Sequence, residues 1–296
     1  MSGGTGRVLE RVPAWLLAVV AMLSVQVGAA VSIQLFDDVG VAGTAWLRLM
    51  LSAIVLIVLV RPKYWHWSLG DLRAPILLGV VSAGMTLSFL AALDRLPLGT
   101  VVAIEFLGPL TVAALNSRSR RALAWPLLAL LGVLLLTEPW RAKVDLLGVV
   151  FALAAAVGWA LYIIVTQRVG DRFDGLFGLS VSIPVAALIT AVVGVPQAWG
   201  HLTVEVLLIA LGAAILLPLI PWTLEFLALR RLTKAAFGTL MSLEPAFAVV
   251  IGAALLSQAA GLLDLIGIGC VMTAGIAAER TGHRDVEQPD LESPIT

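Results

Sequence analysis

The sequence predicts an all-α membrane protein, with ten transmembrane helices arranged as two inverted five-helix repeats. Three observations carry this expectation. Hydrophobic residues make up 60% of the chain and charged residues only 13%, with a mean hydropathy of +1.02, far too apolar for one soluble core. The chain also matches itself without a gap at an offset of 136 positions, which lays Arg95-Leu96 on Arg231-Leu232 and Pro109 on Pro245. Basic residues, finally, alternate sides. With a cytoplasmic N-terminus, fifteen of the 19 Lys and Arg fall in cytoplasmic segments, Arg95, Arg141 and Lys143 fall outside, and Arg48 lies within the membrane. Such a bias is a positive-inside signal, and one helix more or fewer would scramble it.

Residues 1–12 are polar and Gly-rich and read as a cytoplasmic tail. The apolar run 13–36 has a basic front like a signal peptide, but it is too long for a cleaved core and lacks a clear small-x-small exit, so it is a membrane helix. Asp37-Asp38-Val39-Gly40 is expected to turn the chain into a second run, 41–60, which contains Arg48. The loop 61–73 is basic and aromatic, with Tyr64, Trp65 and Trp67 suited to the interface. A third run, 74–93, is broken by Gly79 and Gly84, and Asp94-Arg95-Leu96-Pro97 turns into a fourth, 98–115. The fifth, 122–136, is barely long enough to span and reaches the surface with help from Trp125 and Trp140.

Residues 137–145 form a mixed-charge connector between a first repeat, 13–136, and a second, 146–278. The second-half runs are 146–165, 176–195, 202–229, 235–256 and 262–278. Pro218 and Pro221 predict a kinked or broken eighth helix, which is tolerated where the backbone faces protein or a cavity. Residues 279–296 are charged and poor in apolar side chains and read as a disordered tail, so both termini are cytoplasmic. Because five is odd, the second half enters the membrane upside down relative to the first. Inverted repeats of this kind recur in secondary transporters, with the substrate site near the midplane between the halves.

The polar residues inside these runs form the candidate site, since an ionisable group in hydrocarbon costs about 3 kcal/mol on insertion scales. Glu105 is either a proton or ammonium site at mid-depth or a neutral packing residue. At the repeat offset it falls three residues from Glu244, one turn away on the same helical face. Glu244 precedes Pro245, which removes a backbone hydrogen bond, so Glu244 either binds substrate or satisfies the local kink. Arg48 either snorkels or grips a carboxylate in bidentate fashion. Glu225 lies about a turn from Arg230 and either pairs with it or faces the pathway. Gln26, Trp159 and Tyr162 would line the first helix of each half, with packing the alternative for the two aromatics.

A free amino acid brings a carboxylate and an ammonium, and both must be met on leaving water. Arg48 can serve the first and Glu105 or Glu244 the second, provided they face one cavity without touching. An intramembrane enzyme would need a nucleophile and base or a metal set, and the sequence has no GxSxG, no paired histidines and no aspartate at mid-span. The single Cys270 excludes an internal disulfide, no cofactor motif is present, and the balanced net charge gives no footprint for nucleic acid.

The stretches VVAIEFLGPL (101–110), PWTLEFLALRRL (221–232) and FGTLMSLEPAFA (237–248) resemble the EamA family of the drug/metabolite transporter superfamily, a likeness that runs over about residues 13–278. Within it the chain is most similar to members that export threonine and homoserine across the bacterial inner membrane. The resemblance implies a ten-helix secondary active transporter that exports small amino acids through the cytoplasmic membrane, with protons, a small-molecule substrate and membrane lipid as its partners. A broader metabolite or drug exporter of the same superfamily is the alternative. Many relatives carry an acidic residue just after the ninth helix, where this chain has Ser257-Gln258.

Overall fold

The structure is a computed structural model that describes residues 12–62, 67–115, 124–137, 145–170, 173, 177–221, 224 and 240–281. The described residues are helical throughout, without a strand. Five helices are long and apolar enough to cross a membrane: α1 (Ala14–Ile33), α2 (Phe36–Val60), α3 (Leu69–Leu93), α7 (Leu146–Gly170) and α8 (Phe177–Ala198). Shorter apolar helices supply the rest. These are the broken fourth span α4 (Leu98–Glu105) and α5 (Leu107–Leu115), α6 (Ala124–Thr137), α9 (Val204–Ala214), α10 (Glu244–Leu256) and α11 (Leu262–Thr281). Ten apolar helical segments result, matching the ten runs.

The outer surface is apolar, and several polar side chains are buried within a largely hydrophobic core. Leu188 and Val192, at 71% and 75% exposure, stand on the outside, whereas Gln26 and Arg48 are 1% and 4% exposed. Only a hydrocarbon solvent rewards that arrangement, in which buried polar groups are shielded by an apolar coat. The chain is a multi-pass membrane protein.

Helix ends follow local chemistry. Ser68 opens α3 with a capping box: its hydroxyl accepts from the Asp71 N–H, and the Asp71 carboxylate accepts from the Ser68 N–H at 3.2 Å. Helix α3 therefore begins at Leu69, inside the segment expected to be loop, and it runs unbroken through Gly79 and Gly84. The first connection also differs from expectation. The chain turns at Gln34-Leu35, and Asp37-Asp38-Val39 already form the first turn of α2, where their carboxylates face the positive end of the helix dipole. Gly40, at φ 69°, then kinks α2, a conformation that glycine adopts without a Cβ clash. Helix α11 continues to Thr281, past the expected start of the disordered tail at Glu279. Residues 282–296, Trp65, Tyr64, Trp140 and the start of the ninth span lie outside the described residues.

In the packing, α2 lies along α8, and α3 lies along α7 and α8. Helix α9 rests on α1 and α2, α4 on α7 and α10, and α10 also on α1. Helices α6 and α11 pair with each other. One end of the bundle, called here the Asp94 end, gathers Arg95, Asp145 and the 258–264 segment around a cavity of about 600 Å³. At the opposite end, Trp67 meets Phe173 edge-on, with ring centroids 4.6 Å apart, and Phe177 stacks on Phe173.

Candidate functional site

Pro109 has no N–H to bond the carbonyl of Glu105, and the fourth span pauses there: at Phe106, which keeps helical angles and whose N–H bonds the Val102 carbonyl at 3.0 Å, α4 ends before α5 starts at Leu107. The ninth span pauses at Ser242-Leu243, and Glu244 opens α10 with Pro245 in the first turn. Each pause thus lies two or three residues before the matched proline. The two pauses meet in space. A Cβ on Gly275 of α11 would collide with both the Ser242 hydroxyl and the Phe106 ring, so glycine lets both segments approach one point. Nearer the Asp94 end, Gly99 packs on Val249 and the Leu98 N–H donates to Gln258 Oε1 at 3.0 Å. These contacts set α4 and α10 antiparallel, with Glu105 level with Leu243 and Glu244. Trp159 meets Phe106 edge-on at 6.1 Å, and Gly108 lies directly against the Ala156 carbonyl of α7.

Arg48 comes eight residues after Gly40, Glu105 seven after Leu98, and Gln26 seven before Ile33. At the helical rise all three lie about 10–12 Å along their axes from the Asp94 end. Arg48 and Glu105 thus stand at one depth, on α2 and α4. They do not form an ion pair; among the described residues that contact is made by Arg95 and Asp145, 2.9 Å apart and exposed. Arg48 Nη1 donates to Ser32 Oγ at 3.3 Å, and the Ser32 hydroxyl donates to the Gly28 carbonyl at 2.7 Å. Buried Arg48 Nε and Gln26 Oε1 have no hydrogen-bond partner among the described residues. An isolated donor and an isolated acceptor in such surroundings are costly unless something else meets them.

The eighth span breaks as Pro218 and Pro221 predict. Leu217 adopts extended angles (φ −154°, ψ 108°) inside a π-turn, Ile215–Leu219. Pro218 cannot donate to the Ala214 carbonyl. Ser52 of α2 shares its hydroxyl between that carbonyl, at 3.3 Å, and the Arg48 carbonyl, at 2.8 Å. Ser24 of α1 donates to the Leu216 carbonyl at 2.7 Å.

Of the residues singled out in the sequence, Glu105, Glu244 and Trp159 converge on the paired pauses, while Arg48 and Gln26 share the depth of Glu105. Glu244 is buried, at 4% exposure. Tyr162 packs instead with Leu78, Val165, Val169 and Phe173. Glu225 lies outside the described residues. Ser24, Ser32 and Ser52 escape sequence reasoning, because a serine in an apolar helix most often bonds its own preceding turn. Gln258, just after the ninth span, caps the N-terminus of α4.

The model of the EamA-like transporter family matches residues 146–277. The threonine/homoserine exporter RhtA of Escherichia coli (strain K12) is 36% identical over 292 residues, covering 96% of this chain and 98% of the relative. The protein of the same name from Salmonella typhimurium (strain LT2) is 35% identical over 293 residues, again 96% of this chain and 98% of its own length. A solved crystal structure superposes with a TM-score of 0.61 over 91% of this chain and 97% of its own, at 16% identity, a likeness of fold alone. Two broken helices meeting on one glycine, buried polar side chains inside an apolar coat, and whole-length likeness to named exporters agree: the chain belongs to the EamA-like transporter family, and is a transporter rather than an enzyme.

Proposed function

We propose that the protein is a proton-coupled secondary transporter that exports small zwitterionic amino acids, threonine and homoserine among them, across the cytoplasmic membrane. The observation that carries this is the disposition of Arg48 and Glu105: a guanidinium and a carboxyl group at one depth, yet not in contact. A touching pair would neutralise itself. A separated pair leaves an anion site and a cation site to be filled by one molecule carrying both charges. The names of the relatives agree with such a substrate.

The helix pairings support two inverted five-helix repeats. Exchanging each span for the one five further along turns α3–α7 into α9–α1, α3–α8 into α9–α2 and α4–α7 into α10–α1, while α2–α8, α4–α10 and α6–α11 map onto themselves. In this arrangement the Asp94 end faces outward and both termini are cytoplasmic. Glu105 and Glu244, flanking the paired pauses, are the candidates for the proton and the ammonium, with Trp159 against Phe106 and Gln26 at a similar depth. A carboxyl group there alternates between charged and neutral as its access changes sides.

The experiment compares export of threonine, threonine amide and the decarboxylated amine from sealed vesicles, for the wild type, Arg48→Gln and Glu105→Gln. The wild type is expected to prefer threonine over its amide by about tenfold or more, a preference lost in Arg48→Gln. Glu105→Gln should insert normally but lose export driven by a pH gradient. Equal handling of all three compounds by the wild type would refute the zwitterion reading and favour a broader metabolite or drug exporter.

A further inference from the structure

We propose that Ser32 is a positioning residue that turns Arg48 so that its Nε–Nη2 edge, rather than its Nη1–Nη2 end, receives the carboxylate of the substrate. This inference rests on the zwitterion reading of the Arg48 site and adds the edge and the residue that selects it.

Serine has one O–H. That of Ser32 is given to the Gly28 carbonyl at 2.7 Å, so only lone pairs face Arg48, and Nη1 donates to them at 3.3 Å. A guanidinium presents two forks to a carboxylate, end-on through both Nη groups and side-on through Nε and Nη2. With Nη1 directed at Ser32, the end-on fork is divided. The side-on fork stays whole: Nε is buried without a partner, and Nη2 makes no hydrogen bond among the described residues.

Snorkelling does not account for this geometry. Arg48 is 4% exposed and Ser32 is fully buried, so the guanidinium is held inside the protein and not led out to water. Nor does a purely structural role, which would consume the donors that are left over. What matches an idle side-on fork is a planar anion with two oxygens about as far apart as Nε and Nη2, which is to say a carboxylate. The carboxyl group of Glu105, at the same depth and not in contact, makes an α-amino acid a better fit than a simple carboxylic acid. Gly28, the other end of the Ser32 bond, packs against Leu216 and Leu217 at the eighth-span break, so the hydroxyl that aims Arg48 is itself fixed against a rigid seam.

The test measures threonine and threonine-amide export from sealed vesicles by wild type, Ser32→Ala, Ser32→Thr and Arg48→Gln, with membrane levels and thermal stability recorded alongside. Ser32→Ala removes one oxygen and leaves the charge. Its KM for threonine should rise about tenfold with maximal rate nearly unchanged, and its preference for threonine over the amide should fall by a similar factor. Ser32→Thr, which keeps the hydroxyl, should recover most of both. A wild-type KM and preference in Ser32→Ala would overturn the assignment, as would a loss of maximal rate alone. If the wild type itself does not discriminate against the amide, the zwitterion reading falls and takes the assignment with it. If discrimination depends on Arg48 but not on Ser32, the assignment falls alone.

Discussion

Single residues set the local chemistry at the Asp94 end. Asp145 accepts from the Gly148 N–H at 3.0 Å and from Arg95, and these bonds, the backbone one foremost, hold its carboxyl below the usual range. A group whose folded-state pKa is lowered contributes stability above its ordinary pKa and loses it as the pH falls through the lowered value. Thermal unfolding in detergent should therefore lose a small increment of stability on acidification through and below the carboxylate range. Asp145→Asn should start lower at neutral pH and lack that step. Added salt should weaken the Arg95 share and spare the Gly148 bond, because exposed charges are screened. At this scale the sequence points to Glu105, Glu244 and Arg48 through cost alone, since charge in hydrocarbon is conspicuous. It does not point to Ser32, whose hydroxyl matters only because the fold brings α2 alongside.

Among elements, the fourth span is defined by how near it comes to α7. A Cβ on Gly108 would collide with the Ala156 carbonyl, which is backbone and cannot rotate away. Gly108→Ala should force the helices apart, costing about 1–3 kcal/mol of stability, as overpacking does, and lowering the melting temperature. Gly84, with nothing within 4 Å of the equivalent position, is the control, and Gly84→Ala should keep or slightly raise the melting temperature. The ten runs are legible because each is a long apolar stretch between turn residues, and the matched prolines mark where the fourth and ninth spans pause. Helix starts are less legible. The capping box at Ser68 pulls α3 back into a stretch that composition assigns to loop, and Asp37-Asp38 serve as a first helical turn as readily as a reverse turn. The glycines of the third span show the same limit: interruption and close packing look alike until the neighbouring helix is placed.

For the molecule as a whole, orientation is the property on which inward loading and outward release both depend. Reporter domains fused after Thr296 and inserted in the 199–203 connection at the Asp94 end should lie on opposite sides of the membrane, the first cytoplasmic. Reporters on the same side would remove the inverted arrangement and, with it, the idea that one site is opened alternately by two related halves. The broken eighth span adds a mechanical consequence. Its released carbonyls lean on Ser24 of one helix and Ser52 of another, and in a dry interior each lost bond costs several kcal/mol. Flexing that span at its break would give up these two bonds, so the break is tied to α1 and α2 together. At the crossing over Gly275, by contrast, what meets the glycine is the Ser242 hydroxyl and the Phe106 ring, side-chain atoms rather than backbone.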